Sequence, residues 1–282
     1  MDTDQIITAF PELCNIRRVE TPSGQKFVFM ALREGVDVVL KVIRPYRGAA
    51  ERADREILAG NILCSSYVPA ILDHGVRNIG GCEMRYILES FINGETLERK
   101  LAAQPTQPLD FVLRLTSALL CACRDFEAVS IVHRDIKPGN LIIDPGGKVW
   151  VIDFGIARHL EMPSLTGTGG PGLGTWGYAA PEQFRNMKSK INGRADLFSV
   201  GIVAYEALTG GHPFARYRDN PLVLLRKMEG EDVPPPAPAA GDDGRFADFI
   251  CQLAQRYPSR RPQTANDALA WFGPIYNDLR IR

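Results

Sequence analysis

The stretch IVHRDIKPGNLIID, residues 131–144, places cations, an acid and an amide between two apolar segments. A second apolar run, KVWVID, follows the turn residues PGG and ends at Asp153. The two runs predict a hairpin that brings Asn140 close to Asp153. Amide and carboxylate oxygens are hard ligands, suited to a Mg²⁺ ion that already holds phosphate oxygens. Asp135 then remains to accept a hydroxyl proton, and Lys137 to place positive charge on a transferring phosphoryl group, so this residue set predicts phosphoryl transfer.

The composition is that of an ordinary globular protein. The chain has 282 residues, of which 45% are hydrophobic and 23% charged, and this length suggests about two compact units. Lys plus Arg equals Asp plus Glu, 33 of each, so the net charge gives no global attraction to nucleic acid or an anionic membrane. The six cysteines show no CxxC spacing, which favours buried thiols in a reducing compartment over disulfides or zinc.

The N-terminal segment MDTDQIITAFPELC lacks the basic and apolar regions of a signal peptide. Apolar runs elsewhere are shorter than the ~18 residues of a membrane span. We therefore expect a cytoplasmic protein without a membrane partner.

The pattern of the chain changes near residue 92. KFVFMAL, VDVVLKVI and MRYILESF predict strands, with a hairpin turn at REG, whereas GAAERADREILAGNIL (48–63) predicts a helix. Beyond residue 92, residues 110–129 and 197–210 predict long apolar helices, the second closed by Gly210. A strand-rich part followed by a helix-rich part predicts an α+β fold with two lobes.

HRDIKPGN, DFG and APE occur in this order, and together they resemble the signature set of the eukaryotic-like (Hanks-type) serine/threonine protein kinases. The resemblance extends from about Lys41 to Arg261, and the short chain is similar to bacterial members of the family. It implies a kinase domain with an N-lobe at residues 1–91 and a C-lobe at residues 92–282, using ATP with Mg²⁺ or Mn²⁺.

The resemblance implies roles for individual residues. Asp135 is the catalytic residue that accepts the hydroxyl proton, and Lys137 places positive charge on the transferring phosphoryl group. Lys41 is the strand lysine that holds the phosphates. The partner of Lys41 is Glu56, with Glu51 as the alternative. The implied nucleotide-binding set is Gly24, Val28, Val39, Lys41, Leu88 as gatekeeper, Glu89 and Phe91 through their backbones, Glu95 at the ribose, and Asn140 and Asp153 as metal ligands.

Further positions follow from the same resemblance. Glu182 of APE pairs with Arg261, and Asp196 braces the backbone of the catalytic loop. Arg134 is the kind of residue that captures a phosphate on the activation loop, where Ser164, Thr166 and Thr168 are the candidate phosphorylation sites. Thr175 is expected to support the active site instead. The hydroxyls are equally compatible with an ordinary loop.

The sequence departs from the family pattern at two places. TPSGQKFV, residues 21–28, stands where the family has a loop with three glycines, and Lys26 occupies the third glycine position. Lys26 could add charge near the phosphates or obstruct them. Val39 stands where Ala is usual, and its extra methyls would press on the adenine. These departures leave two alternatives, an active kinase or a nucleotide-binding pseudokinase without phosphotransfer.

Lys137 resembles the corresponding residue of Ser/Thr-directed kinases, and GTWGYAAPE resembles a peptide-docking segment that a small-molecule kinase would not need. The expected function is transfer of the γ-phosphoryl group of ATP to Ser or Thr of a protein, including a second copy of itself. Nucleic acid is not an expected partner.

Overall fold

The computed structural model describes residues 1–20, 26–45, 57, 63, 65–154, 177–185, 191–214, 220–237 and 242–281. The helix predicted over residues 48–63, with Glu51 and Glu56, lies almost wholly outside these residues. Gly24 and the hydroxyls at positions 164, 166, 168 and 175 also lie outside them.

A five-stranded antiparallel sheet forms the N-terminal part, in the order β1-β2-β3-β5-β4. Helix α1 (Thr3–Ala9) precedes the strands β1 (Leu13–Val19), β2 (Lys26–Arg33), β3 (Val36–Ile43), β4 (Ile71–Ile79) and β5 (Cys82–Ser90). The turn predicted at REG joins β2 to β3, and Glu34 and Gly35 there both have positive φ. The strands predicted from KFVFMAL, VDVVLKVI and MRYILESF are therefore confirmed.

The two faces of this sheet differ in chemistry because side chains alternate along each strand. One face packs on α1 through a buried apolar cluster that includes Ile6, Phe10, Phe29, Leu40 and Leu88. The opposite face carries Lys41, directly opposite Val28 on β2 and Ile87 on β5. The strand lysine thus projects away from the apolar cluster.

The remainder of the described chain is mostly helical. Its helices are α2 (Leu97–Ala103), α3 (Leu109–Ala128), α4 (Pro181–Phe184), α5 (Arg194–Thr209), α6 (Pro221–Gly230), α7 (Arg245–Leu253) and α8 (Ala265–Ile281). The two long helices predicted from the sequence are confirmed as α3 and α5, and Gly210 caps α5 with φ +77°. Helix α5 is buried on nearly every side, as its uniformly apolar sequence requires.

Helices α5 and α7 approach closely at Gly201. A Cβ atom at this position would lie 2.9 Å from the Leu253 Cβ and 2.9 Å from the Ala254 nitrogen. These helices share one large apolar core with α3 and α8. The core holds the segment between α3 and the following strands in place.

A small three-stranded sheet follows the predicted hairpin. Strands β6 (Glu95–Thr96), β7 (Leu141–Ile143) and β8 (Val149–Val151) pair antiparallel in that order. The Ile152 N–H donates to the Asn140 carbonyl at 2.9 Å, which brings the residue before β7 next to the end of β8. The α+β, two-lobed architecture is thus confirmed, and no helix among the described residues is long and apolar enough to cross a membrane.

Candidate active site

The catalytic loop, residues 131–140, is hydrogen-bonded to helix α5 through Asp196. Asp196 is buried at 1% exposure, and its two carboxylate oxygens accept the N–H groups of His133 and Arg134, each at 2.7 Å. Burial raises the pKa of Asp196 to about 7, although the two N–H donors favour the charged form. Arg134 has φ +66°, a conformation that non-glycine residues adopt at a cost. The predicted bracing role of Asp196 is confirmed.

His133 forms the inner wall of this loop. Its ring is fully buried, stacks on Phe126 of α3 at 5.8 Å and lies 5.3 Å from Phe154. The His133 Nδ1 accepts the Asp135 N–H at 3.2 Å, so the ring holds the backbone of Asp135. Burial lowers the pKa of His133 to about 4. Sequence reasoning gave this residue no role.

Asp135, Lys137 and Asn140 form one hydrogen-bonded group. The Lys137 ammonium lies 3.1 Å and 3.0 Å from the two carboxylate oxygens of Asp135. The Asn140 amide nitrogen donates to the Asp135 carbonyl and to its Oδ2, both at 2.9 Å. The structure therefore brings together the acid, the lysine and the amide that the sequence pattern selects.

Asp153 lies just after β8 and forms ion pairs with two lysines. The Lys26 Nζ lies 2.5 Å and the Lys41 Nζ 3.1 Å from its Oδ1 atom. Burial alone would raise the pKa of Asp153, but the lysines reverse this and hold it well below its usual range. Asp153 also has φ +59°. It is therefore a carboxylate held in an uncommon backbone conformation.

Asn140 and Asp153 fit a hard divalent cation. The Asn140 nitrogen is bonded to Asp135, which orients the amide so that its oxygen remains to bind a metal. Asp153 is ionised across the physiological pH range because of its lysine neighbours. A neutral amide oxygen and an ionised carboxylate, adjacent through the β7–β8 hairpin, are the donors that such a cation prefers.

The side chain of Glu89 lies beside Lys41. The two make an ion pair at 2.6 Å, with side-chain exposures of 9% and 7%. Sequence reasoning assigned Glu89 only a backbone role, so this carboxylate contact was missed.

One expectation for β5 is wrong. Leu88 pairs with Leu40 and both belong to the apolar cluster on α1, so the Leu88 side chain does not border the space beside Lys41 as a gatekeeper would. The physical reason for this error is the register of the sheet, because adjacent residues of a strand point to opposite faces. Phe91 follows β5, and its N–H donates to the Asp37 carbonyl at 3.4 Å; contact of the Phe91 backbone with adenine stays a prediction.

Other residues predicted to contact adenine and ribose lie on β2, β3 and β6. Val39 lies opposite Glu89, and Val28 lies opposite Lys41, so both share the face of Lys41. Glu95 on β6 is 49% exposed and lies 3.7 Å from Lys100.

The predicted ion pair between Glu182 and Arg261 is confirmed. The Arg261 guanidinium donates to both carboxylate oxygens at 2.7 Å and 3.1 Å, and both side chains are buried. Burial lowers the pKa of Arg261, against the effect of Glu182. The neighbouring Gln183 donates to the Arg134 carbonyl at 2.9 Å, which connects this segment to the catalytic loop.

Comparison with known proteins agrees with this geometry. The model of the protein kinase domain family matches residues 28–271. The chain belongs to this family. The match begins within β2, covers the strands β3 to β8 and the helices α2 to α7, and ends within α8.

The chain is similar to bacterial serine/threonine kinases. It is 34% identical over 249 residues to a probable serine/threonine-protein kinase, pknA2, of Bifidobacterium longum. It is 30% identical over 267 residues to PknA of Mycobacterium tuberculosis and 31% identical over 259 residues to pkn3 of Myxococcus xanthus. The alignments cover 85–86% of this chain but 32%, 61% and 46% of those relatives, respectively.

Proposed function

We propose that this protein is an ATP-dependent serine/threonine protein kinase. The observation that carries the proposal is the Asp135–Lys137–Asn140 group next to Asp153 and Lys41, because an acid, an amide, a metal-binding carboxylate and two lysines are the groups that phosphoryl transfer uses. Similarity to bacterial serine/threonine kinases supports the substrate class. The protein substrate would carry Ser or Thr, and a second copy of the chain is one candidate.

In this proposal Asp135 orients the substrate hydroxyl and accepts its proton as the hydroxyl oxygen bonds to the γ-phosphorus. The bond between that phosphorus and the bridging oxygen of ADP breaks, and ADP leaves. Lys137, beside Asp135, offsets the negative charge of the transferring phosphoryl group. Lys41 holds phosphate oxygens of ATP. Positioning and fixed charge would supply most of the acceleration.

Asn140 and Asp153 would hold Mg²⁺, with Mn²⁺ as a substitute. When bound, the cation offsets negative charge on the phosphate oxygens. Val28 and Val39 would contact adenine and Glu95 the ribose, with Gly24 in the phosphate loop and Glu56 near Lys41.

Residues 1–91 would form the N-lobe and residues 92–282 the C-lobe of one kinase domain. Phosphorylation at Ser164, Thr166 or Thr168, read by Arg134, would regulate the enzyme.

Label transfer from γ-labelled ATP with Mg²⁺, followed by identification of the labelled amino acids, tests the proposal. We expect phosphoserine or phosphothreonine in a basic protein acceptor or in the chain itself. Asp153→Asn should abolish labelling, whereas Asp110→Asn, at an exposed position of α3, should not. Labelled tyrosine would contradict the substrate class. ATP binding with no transfer would establish the pseudokinase alternative.

A further inference from the structure

We propose that Glu89 is a positioning residue that holds Lys41 in place for the ATP phosphates. This inference rests on the proposed function and adds a residue to its site. The carboxylate comes from the sheet itself, on the strand β5 that pairs with the strand of Lys41. It gives Lys41 an acid independent of the position of Glu56.

The register of the sheet places the two groups within reach. Val39 lies directly opposite Glu89, and Lys41 lies directly opposite Ile87. Lys41 and Glu89 are therefore diagonal neighbours on one face, a spacing that long side chains bridge. Their charged atoms are 2.6 Å apart.

Burial makes this contact important for the state of Lys41. Both side chains are more than nine-tenths buried, and a buried ammonium without an anion is strongly unfavourable. Lys41 also contacts the Oδ1 atom of Asp153 at 3.1 Å. A divalent cation held by Asp153 would compete with Lys41 for this carboxylate. Glu89 would then still provide Lys41 with an acid.

The neighbouring charges favour an acid at this position of β5. Lys26 and Lys41 both contact Asp153, which puts two cations on one carboxylate. Glu89 supplies a second negative charge beside Lys41. A lysine at the third glycine position of the phosphate loop thus accompanies an additional buried acid.

The strand also gives the carboxylate a fixed position. β5 lies between β3 and β4 in the sheet, and the residues before Glu89, Ile87 and Leu88, are 0% and 2% exposed. Groups on such rigid elements are more accurately placed than groups on loops. Glu89 therefore fixes the Lys41 ammonium before a nucleotide arrives.

The test compares affinities for ATP with Mg²⁺ and for adenosine, which lacks phosphates. Glu89→Gln preserves the size of the side chain and removes its charge. We expect its ATP affinity to fall by roughly tenfold to a hundredfold, the range for hydrogen bonds to charged groups, with adenosine affinity unchanged. Glu89→Asp should recover part of the loss. Glu83→Gln, at an exposed position of the same strand, is the matched control and should change neither affinity.

Each outcome separates the inference from the function on which it rests. Wild-type protein that binds no ATP would overturn both. ATP binding by wild type and equally tight binding by folded Glu89→Gln would overturn the inference alone, as would equal losses for ATP and adenosine, which indicate a general effect on the fold or base site. If Glu89→Gln does not fold by circular dichroism, Glu89→Asp is compared with wild type instead. Its carboxylate is withdrawn from Lys41 by one methylene, so we expect a smaller loss of ATP affinity with adenosine affinity unchanged, and unchanged ATP affinity would overturn the inference.

Discussion

At the scale of single residues, the site depends on paired charges and packed rings that are partly or fully buried. Asp153 is held by Lys26 and Lys41, and Asp135 by Lys137 and Asn140. His133 supports Asp135 from inside the protein. The motifs select Lys41, Asp135, Lys137, Asn140 and Asp153, but the contacts of Asp153 with the two lysines and the support from His133 depend on packing, which motif spacing does not reveal.

His133 should make stability depend on pH. Its folded pKa is about 4, below the ~6.5 of an unfolded histidine. The unfolded chain therefore binds a proton first as pH falls, and stability decreases from pH ~6.5 to ~4, by about 3 kcal/mol for this group. Urea unfolding across this range should show a shallower pH dependence for His133→Asn than for wild type. His74→Asn, at an exposed position, is the control, and an unchanged slope in His133→Asn would contradict the assignment.

Lys26 decides whether the unusual phosphate loop assists or obstructs ATP. Its contact with Asp153 places its charge where phosphates and cation would meet, so we expect assistance. Lys26→Met should weaken ATP affinity by about tenfold or more, the cost of a hydrogen bond to a charged group. Equilibrium ATP titration measures this, with Lys227→Met on α6 as the control. Tighter binding by Lys26→Met would show that the lysine obstructs the site.

At the scale of elements, the segment at α4 is held by one buried ion pair. Arg261 bonds both oxygens of Glu182 and also the Gln255 and Arg194 carbonyls. This network joins α4, the start of α5 and the turn before α8. Such a pair stabilises the arrangement mainly because breaking it leaves an unpaired charge in the core.

Removing one partner should therefore be costly. Glu182→Leu should lower the free energy of unfolding by about 3–5 kcal/mol, since Arg261 would remain buried without its carboxylate. Glu182→Leu combined with Arg261→Met should recover part of the loss. Glu229→Leu removes the surface partner of Arg185 and should cost at most about 1 kcal/mol. Denaturant unfolding measures all three, and equal losses in the two single variants would contradict the account.

The elements that sequence predicts well are those with a strong local pattern. Helices α3 and α5 and strands β2, β3 and β5 have long apolar periodicity, and the REG and PGG turns carry their own signals. The side of β5 that faces Lys41 was predicted wrongly, because the register depends on pairing with β3, and a one-residue shift exchanges Leu88 for Glu89. The motif positions themselves were predictable because their chemistry is fixed by spacing.

At the scale of the whole molecule, the site is assembled from the two structural parts. Lys26, Lys41 and Glu89 belong to the five-stranded sheet, whereas Asp135, Asn140 and Asp153 belong to the segment between α3 and α4. The ion pairs of Asp153 with both lysines connect these parts directly. In the proposed complex, ATP and its cation, held by Lys26, Lys41, Asn140 and Asp153, would connect the same two parts.

The most direct test of the central claim is single-turnover phosphoryl transfer, measured beside ATP affinity, for wild type and Asp135→Asn. Asparagine keeps the shape of Asp135 but cannot accept the proton. We predict transfer by wild type and a rate lower by about 10²–10⁴-fold in the variant, with ATP affinity nearly unchanged. Equal rates in the two proteins would contradict the role of Asp135, and ATP binding without transfer by wild type would contradict the kinase itself.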